Sequence, residues 1–324
     1  MSHNPPDLSI CIVNWNRREL LRECLAAALA TVQDMDVEVI VSDNASTDGS
    51  QEMVRDQFPQ VRLLENDRNL LFAAGCNVAA RVATGRHLLF LNNDAVVNDA
   101  ALRGLLDLLD SDHRVGICGP MLQRPDGTPE YSYERFPTLP WQLAKLFGLS
   151  SLAARRLRRS TGVVPVDIVL GSCLMIRGDL ARRLGFFDEG FAFYYEEVDL
   201  CQRVRQAGQA VVLACDHTVV HHHAQSSAAM SDRQRLRHLH AGYARFVAKH
   251  RSPLKARLLW ALFRLTLIRK LLGYALLSVL SLGLSRSVRA KLRQAWLSLA
   301  VSRGLLGRAR ADLAGRPSPA GSRP

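Results

Sequence analysis

Short apolar segments alternate with longer helical segments through the first part of the chain, and this alternation constrains the fold more than any other feature. Residues 8–14, 37–42, 61–64 and 88–91 have the length and composition of buried strands. Helical stretches of about 10–15 residues separate them, which is typical of βαβ units that build a parallel sheet. We therefore predict an α/β fold in which helices cover a largely parallel sheet.

The middle of the chain departs from this alternation. A helix over 100–109 and a strand over 115–121 are followed by residues 123–161, where Pro, Gly, Tyr and Arg dominate. Such a segment is typical of a long insertion or a lid over a binding site. Regular structure is predicted to resume as a strand-like run over 166–176, a helix over 196–206 and two late strands over 211–214 and 218–221.

The formal net charge of +12 belongs almost entirely to the C-terminal segment. Residues 251–324 contain 15 Lys and Arg residues against a single acid, Asp312, whereas the preceding residues contain 27 basic and 29 acidic side chains. This asymmetry predicts a polyanionic partner, either membrane lipid or nucleic acid. Nucleic acid is disfavoured because the segment is aliphatic and lacks interleaved aromatic side chains on which bases stack.

Residues 258–284 are the most apolar part of that segment, yet they include Arg264, Arg269 and Lys270. Their longest uncharged run is shorter than the roughly 20 residues that a membrane-spanning helix needs. A basic helix lying in the membrane interface fits the pattern better. The predicted divisions of the chain are a domain over 1–250, a basic amphipathic helical extension over 251–310 that contacts an anionic membrane surface, and a disordered tail over 311–324.

The seven cysteines are scattered, and none forms a C-x-x-C pair. This usage favours free, buried thiols in a reducing compartment over disulfides or a zinc site. Residues 1–7 have neither the basic region nor the apolar region of a secretory signal. We therefore expect a cytoplasmic protein that is peripheral at the inner face of the cell membrane.

Acidic residues stand at three points where predicted elements end or begin. Asp43 ends the second strand, Asp94 follows the fourth strand, and the group 196–199 opens a helix with three acids. Ligands of open α/β sheets bind at the carboxyl ends of strands, and a carboxylate there can hold Mg²⁺ against a diphosphate. Structural alternatives are a turn for Asp94, a helix cap for Asp43, and acids that match the helix dipole at 196–199.

The segments around these acids resemble the family 2 glycosyltransferases, in particular the rhamnosyltransferase-like bacterial members. The similarity spans residues 8–250, and the order and spacing of its segments make it specific. The matching segments are SICIVNWN (9–16), VSDNASTDGS (41–50), NLLFAAGCN (69–77), LNND (91–94), GSCLMIR (171–177) and the stretch 187–201. The resemblance implies a GT-A fold, a mixed sheet flanked by helices, followed here by basic amphipathic C-terminal helices.

The resemblance also implies a donor site. Asp43 would accept hydrogen bonds from a nucleobase N–H or a ribose hydroxyl, and Asp94 would bind Mg²⁺ or Mn²⁺ where the family's metal-binding motif ends. Asn92 and Asn93 replace the further acids of that motif. Gly75 allows a close backbone approach to the nucleotide, although a packing glycine is an equal alternative. The residues expected around the nucleotide sugar are Asn14, Asn16, Asp43, Ser46, Asn69, Gly75, Asn77, Asn93 and Asp94.

The catalytic base is expected at Glu196-Glu197, where the family usually has Glu-Asp. Glu197 matches the base of inverting enzymes, but its extra methylene shifts its reach by about 1 Å, a distance that matters to positioning. The choice between Glu197 and Glu196 therefore stays open. Adjacent carboxylates also raise the pKa of one of them, which suits a general base near neutral pH. His221 matches a histidine that approaches the metal or the diphosphate, with a solvated turn as the alternative.

These features together predict a metal-dependent inverting glycosyltransferase. It would move a sugar, with rhamnose favoured, from dTDP-rhamnose or a UDP-sugar to a hydroxyl of a lipid-linked or cell-envelope glycan, such as a polyprenyl-linked acceptor. The alternative is a catalytically inactive regulatory protein that binds nucleotide sugars, because the metal motif is sparse and the base position is non-standard. Donor binding without turnover would identify that alternative.

Overall fold

The computed structural model describes residues 5–32, 35–149, 160–222, 230–281 and 284–315. The strands are β1 (Leu8–Asn14), β2 (Val37–Asp43), β3 (Arg62–Glu65), β4 (His87–Asn92), β5 (Ala95–Val96), β6 (Val115–Gln123), β7 (Tyr133–Glu134), β8 (Val163–Pro165), β9 (Ile168–Val169), β10 (Cys173–Arg177) and β11 (Ala210–His221). The helices are α1 (Arg18–Thr31), α2 (Ser50–Gln57), α3 (Leu71–Val82), α4 (Asp99–Ser111), α5 (Leu139–Leu146), α6 (Gly178–Leu184), α7 (Glu196–Gln206), α8 (Asp232–His250), α9 (Pro253–Leu280), α10 (Arg286–Val301) and α11 (Leu305–Leu313).

Among the described residues, nine strands form one mixed sheet in the order β3-β2-β1-β4-β10-β6-β11-β5, with β8 paired to β11. Strands β1 to β4 pair in parallel, β10 is antiparallel to both β4 and β6, and β11 is parallel to β6. The carboxyl ends of β1, β2, β4 and β11 therefore lie at one edge of the sheet. The predicted α/β fold is confirmed.

The central strands are buried along almost their whole length, as expected for near-continuous apolar runs covered on both faces. All residues of β1 except Val13 are buried, and in β4 only Asn92 is not. Ile10 and Ile12 of β1 share a core with Leu21 and Leu25 of α1. The polar residue that ends each of these strands is left at the edge of the sheet.

Two regions differ in detail from the sequence-based expectation. The late strands expected over 211–214 and 218–221 form the single strand β11, whose pairing with β6 shifts register between Ala214 and Thr218. Cys215, Asp216 and His217 occupy this irregularity and break the apolar run. The insertion expected over 123–161 contains β7 and α5, and residues 150–159 lie outside the described part of the chain.

The chain forms two compact units. The first contains the large sheet and comprises Met1–Arg135, Arg158–Ala192 and Glu196–Ala229. The second comprises Phe136–Leu157, Phe193–Tyr195 and Met230–Pro324, and its regular structure in the described residues is helical. Helix α8 thus lies in the same compact unit as the C-terminal helices α9 to α11.

Aromatic side chains pack helices α8 and α9 of the second unit together. The rings of Tyr243 and Trp260 stack with centroids 5.8 Å apart, and Tyr243 lies 4.8 Å from Phe263. The Tyr243 hydroxyl donates a hydrogen bond of 3.1 Å to the carbonyl of Leu259. Aromatic pairs of this kind stabilise a helix interface beyond the area they bury.

Helix α9 ends at Leu280, and in the described parts of the chain none of the helices is both long enough and apolar enough to cross a membrane. Helix α11 continues to Leu313, past the start of the tail predicted at 311, and residues 316–324 lie outside the described residues.

All seven cysteines are free and six of them are buried, as the sequence predicted.

Candidate active site

A buried hydrogen-bond network links the carboxyl ends of β1, β2 and β4. Asn14 donates from Nδ2 to Oδ2 of Asp43 at 2.9 Å and to Oγ of Ser46 at 3.2 Å. Asn93 donates from Nδ2 to Oδ1 of Asn14 at 2.7 Å. The structure therefore brings together four residues that the sequence assigned to the nucleotide sugar.

Asp43 is almost fully buried at the end of β2. Its Oδ1 accepts hydrogen bonds from the Ser46 N–H at 2.8 Å and from Nε2 of Gln51 at 2.7 Å, in addition to the contact of Oδ2 with Asn14. A carboxylate offers about four acceptor positions. The protein uses three of them to fix the orientation of Asp43, which leaves capacity for one further donor.

Asn16 connects the loop after β1 with the loop after β2. Its backbone has φ of 50°, a left-handed conformation that asparagine tolerates better than most residues. The Asn16 N–H donates to Oγ of Ser46 at 2.8 Å, and Oδ1 of Asn16 accepts from the Thr47 N–H at 2.7 Å. These hydrogen bonds hold the loop after β1 against the loop after β2.

Asn69 and Gly75 belong to the next part of the same edge. Oδ1 of Asn69 accepts hydrogen bonds from the Leu71 N–H at 2.8 Å and from Nδ2 of Asn44 at 3.3 Å. A Cβ atom on Gly75 would lie 3.0 Å from Cγ1 of Val13 and 3.2 Å from Nδ2 of Asn44. Gly75 therefore allows α3 to approach β1 closely, which is the packing role.

Asn77 lies further along α3 and makes a different set of contacts. Its Nδ2 donates to the carbonyl of Phe187 and to Oε1 of Glu189, each at 2.9 Å, and its Oδ1 accepts from the Phe187 N–H at 3.0 Å. These bonds occupy the amide of this buried side chain and anchor the loop that precedes α7. The described contacts of Asn77 thus connect it to that loop rather than to Asp43.

Asp94 and His221 meet at the same edge of the sheet. Both are buried, and Nε2 of His221 lies 3.2 Å from Oδ1 of Asp94. Strand β5 follows Asp94 directly and pairs with the end of β11, where His221 is opposite Ala95. The His222 N–H donates to the carbonyl of Asp94 at 2.9 Å. Backbone pairing therefore fixes the separation of the two side chains.

Glu130 completes this cluster, and no pattern in the sequence selects it. Its Oε2 lies 3.0 Å from Nδ1 of His221, on the opposite side of the ring from Asp94. Glu130 is buried, although it stands in the loosely patterned segment after β6. Its N–H donates to the carbonyl of Leu122 on β6, and β6 pairs in parallel with β11, the strand that ends at His221.

Burial and neighbouring charges shift the pKa values of Asp94 and His221. Burial alone would raise the pKa of Asp94, but the hydrogen bond and the charge of His221 outweigh it and lower that pKa. Burial alone would lower the pKa of His221, but Asp94 and then Glu130 outweigh it and raise that pKa. The charged forms of Asp94 and His221 therefore stabilise each other.

The pair Asp94–His221 fits a divalent cation. Two neighbouring ligands of an octahedral ion with bonds of about 2.1 Å lie about 3.0 Å apart, close to the separation of these two atoms. A carboxylate suits Mg²⁺ and Mn²⁺, and imidazole is the commonest protein metal ligand. Within the described residues no cluster of three or more His, Cys, Asp and Glu side chains could bind a metal, so the remaining ligands would come from substrate and water.

Glu196 and Glu197 open α7 beside the same edge. The Asn92 N–H at the end of β4 donates to the carbonyl of Ser172 at 3.0 Å, and a Cβ atom on the neighbouring Gly171 would lie 3.6 Å from Cβ of Glu197. Glu197 is half-buried, whereas Glu196 is buried. The more accessible of the two adjacent carboxylates therefore stands next to the end of β4.

The two glutamates have different environments. Oε2 of Glu196 is buried and has no hydrogen-bond partner among the described residues. Burial, followed by the negative charge of Glu197, raises the pKa of Glu196 well above its ordinary value. Glu196 therefore stays in its neutral form over a wider pH range than an exposed glutamate.

Two basic residues that could have met a diphosphate have structural partners instead. Nε of Arg203 lies 2.7 Å from Oδ2 of the fully buried Asp199, four residues earlier on α7. Arg177 donates from Nε to the carbonyl of Val115 at 2.9 Å. Both guanidinium groups therefore connect elements of the first unit.

The sequence profile of Glycosyl transferase family 2 matches residues 9–184. This match covers more than half of the chain. The chain belongs to glycosyltransferase family 2. The matched region contains Asp43 and Asp94, whereas Glu196, Glu197 and His221 of this family 2 glycosyltransferase lie beyond it.

Characterised relatives of this family 2 glycosyltransferase act in glycan synthesis. An N-acetylglucosaminyl-diphospho-decaprenol L-rhamnosyltransferase of Mycobacterium tuberculosis is 27% identical over 267 residues, which cover 74% of this chain and 84% of that protein. The O-antigen biosynthesis protein RfbC of Myxococcus xanthus is 28% identical over 239 residues, covering 69% of this chain and 18% of that protein.

A solved structure supports the fold of this family 2 glycosyltransferase. The mannosyltransferase PcManGT from Pyrobaculum calidifontis, in complex with GDP-Man and Mn²⁺, aligns with a TM-score of 0.59 and 20% sequence identity. The alignment covers 94% of this chain and 88% of that chain. The GT-A fold expected from the sequence is thereby confirmed.

Proposed function

We propose that this protein is a metal-dependent, inverting glycosyltransferase that transfers a sugar from a nucleoside-diphosphate sugar to a hydroxyl of a lipid-linked or cell-envelope glycan. The observation that carries the proposal is the pair Asp94–His221, held 3.2 Å apart at the carboxyl edge of the sheet and accompanied there by Glu197. Rhamnose is the favoured sugar, because a relative whose alignment covers 74% of this chain is named as a rhamnosyltransferase.

The network around Asp43 would bind the nucleotide. Asn14, Ser46 and Gln51 hold its carboxylate in one orientation before any ligand arrives, so little ordering is left for the binding step. Asn93 in turn holds the side chain of Asn14. The remaining acceptor capacity of Asp43 suits a nucleobase N–H or a ribose hydroxyl. dTDP-rhamnose and UDP-sugars both offer such donors.

Asp94 and His221 would hold Mg²⁺ or Mn²⁺, and the mixed oxygen and nitrogen donor set favours Mn²⁺. When bound, the cation offsets negative charge on the departing diphosphate. Burial of the two side chains strengthens their electrostatic influence on the leaving group, because little water screens them.

Glu197 would take the proton from the acceptor hydroxyl as that oxygen attacks the anomeric carbon from the face opposite the diphosphate. It is more accessible than Glu196, whose burial limits its contact with an acceptor hydroxyl and whose raised pKa favours its neutral form. Glu196 in its neutral form lessens the repulsion that a second charge would add beside Glu197.

The second unit supplies a surface for the membrane at which a lipid-linked acceptor resides. Leu272, Leu276 and Leu280 lie on one face of α9, four residues apart, and each exposes at least 60% of its surface. Exposed basic residues follow on α10: Arg286, Arg289, Lys291 and Arg293. Apolar side chains beside cations suit an anionic lipid surface, where each Lys or Arg contributes about 1 kcal/mol.

The test is release of free nucleoside diphosphate from a panel of sugar nucleotides, with and without Mg²⁺ or Mn²⁺, in the presence of a membrane lipid extract. We expect metal-dependent release from one donor, abolished in Asp94→Ala and retained in Asp99→Ala, which changes an exposed aspartate on α4. Donor binding without release from any member of the panel would contradict transferase activity and favour a regulatory binding protein.

A further inference from the structure

Glu130 is a buried carboxylate that the proposed donor site does not use. Its backbone N–H donates to the carbonyl of Leu122 at 2.8 Å. Oγ of Ser132 donates to the carbonyl of Glu130 at 3.1 Å and accepts from the Leu122 N–H at 2.7 Å. The backbone on both sides of Glu130 is therefore fastened to the end of β6, and its side chain projects from a fixed position.

The contact between Glu130 and His221 determines which ring nitrogen faces Asp94. Oε2 of Glu130 lies 3.0 Å from Nδ1, and Oδ1 of Asp94 lies 3.2 Å from Nε2. A carboxylate is a pure acceptor, so it keeps a proton on Nδ1. Asp94 favours a proton on Nε2 in the same way, so a cation that binds both Asp94 and His221 would displace that proton and meet the lone pair of Nε2, while Nδ1 keeps its proton.

We propose that Glu130 is the positioning residue that holds His221 with Nε2 directed at the divalent cation shared with Asp94. The proposal rests on the proposed function only in that Asp94 and His221 bind the cation. Glu130 does not itself contact the cation, because it lies on the opposite side of the imidazole ring. Carboxylates in this position orient metal-binding histidines and increase their basicity.

A purely structural role makes a different prediction. Glu130 and His221 lie 91 residues apart in the sequence, so their contact also ties the segment after β6 to the end of β11. If this tie were its whole contribution, replacing Glu130 would lower the melting temperature and leave metal affinity of the folded protein unchanged. Metal affinity and the identity of the metal-bound atoms therefore separate the two roles.

The experiment measures Mn²⁺ binding to the full-length protein by electron paramagnetic resonance, without nucleotide and with dTDP or UDP. The variants are Glu130→Gln, which is nearly isosteric, and Glu130→Ala. Glu23→Gln is the matched control, because Glu23 lies 3.3 Å from Nε2 of the neighbouring His222 but is exposed. Electron spin echo modulation from ¹⁴N reports whether an imidazole nitrogen is bound to Mn²⁺.

We expect Glu130→Gln to weaken Mn²⁺ binding about tenfold and Glu130→Ala to weaken it by up to about 100-fold, with reduced ¹⁴N modulation in both. Glu23→Gln should match the wild type in both measurements. Wild-type Mn²⁺ affinity and ¹⁴N modulation in the two Glu130 variants would overturn the proposal, whatever their melting temperatures.

Asp94→Ala distinguishes failure of this proposal from failure of the metal site itself. If Asp94→Ala loses Mn²⁺ while both Glu130 variants keep it, only the role of Glu130 is wrong. If Asp94→Ala binds Mn²⁺ as the wild type does, or if the wild type binds none with either nucleotide, the metal-binding part of the proposed function is wrong as well.

Discussion

Gly242 of α8 packs directly against the backbone of Tyr194. A Cβ atom on Gly242 would lie 2.7 Å from the carbonyl oxygen of Tyr194 and 3.0 Å from Cβ of Tyr195. Both tyrosines have left-handed backbone conformations, with φ of 68° and 75°, and the next residue is Glu196. Such strained residues persist only where their surroundings hold them, so the close packing of Gly242 helps to hold the backbone of these two tyrosines.

Gly242→Ala is expected to lower stability. The methyl group would displace the Tyr194–Tyr195 backbone, at a cost of about 1–3 kcal/mol. Melting temperature checks this, with Gly273→Ala as control, because a Cβ atom there meets no other atom within 4 Å. A wild-type melting temperature in Gly242→Ala would show that this packing does not hold the two tyrosines.

The choice of base is tested by replacing each glutamate in turn. Glu197→Gln should lower kcat by a factor of about 10²–10⁴ while leaving donor affinity unchanged, since it removes the proton acceptor and keeps the shape. Glu196→Gln should reduce kcat much less, because Gln resembles the neutral form in which burial holds Glu196. The reverse ranking of the two variants would assign the base to Glu196.

Glu196 should also make stability depend on pH. Its pKa is raised in the folded state, first by burial and then by Glu197, so its contribution is complete below about pH 4.5 and is lost as the pH rises through the folded-state pKa. Glu196→Gln removes this loss. The unfolding free energy of the variant relative to wild type should therefore increase between pH 5 and pH 8, by at most about 1.4 kcal/mol per pH unit.

Chemical denaturation at several pH values measures this difference. Glu189→Gln provides a contrast of opposite sign, because the hydrogen bond from Asn77 and the neighbouring Arg81 lower the pKa of Glu189. Its stabilising contribution is present above the ordinary glutamate pKa and is lost as the pH falls. A pH-independent difference for Glu196→Gln would mean that Glu196 is charged in the folded protein.

Membrane binding should depend on the exposed face of α9 and on the cations of α10. The triple change Leu272→Ser, Leu276→Ser and Leu280→Ser removes apolar side chains that would enter the lipid interface, and we expect vesicle affinity to fall at least tenfold. Arg289→Ala should weaken binding about fivefold on anionic vesicles and have little effect on neutral ones.

Sedimentation with sucrose-loaded vesicles of neutral or anionic lipid measures both effects. Val163→Ser is the control, since Val163 is an exposed apolar residue of the first unit. If the triple variant sediments with anionic vesicles as the wild type does, the exposed face of α9 is not the membrane contact.

The strands that end in site residues could be predicted because their apolar runs are uninterrupted. β1 has the predicted bounds, and β2 extends the prediction by one residue to Asp43. The full length of β11 was harder to predict. Its apolar run is broken by Cys215, Asp216 and His217, although the strand continues through them. A local pattern cannot show that a neighbouring strand keeps such a segment extended.

The sequence predicted those site residues that belong to a recognisable local motif, and no others. Asp94 and His221 each stand in a recognisable segment, but Glu130 follows a turn in which nothing marks an acid for burial. Its position depends on the pairing of β6 with β11, a contact between distant parts of the chain. Such contacts are set by tertiary structure, so neither propensity nor spacing could indicate them.

Strands β4 and β5 are separated by only Asn93 and Asp94 in the chain, yet β10, β6 and β11 lie between them in the sheet. Asp94 therefore reaches its place only when strands encoded much later have joined, and contacts of such long range form slowly. On a ribosome, the proposed metal-binding pair of Asp94 and His221 cannot exist until His221 has been synthesised and has emerged. A nascent or truncated chain would thus be unable to consume sugar nucleotide before the sheet is complete.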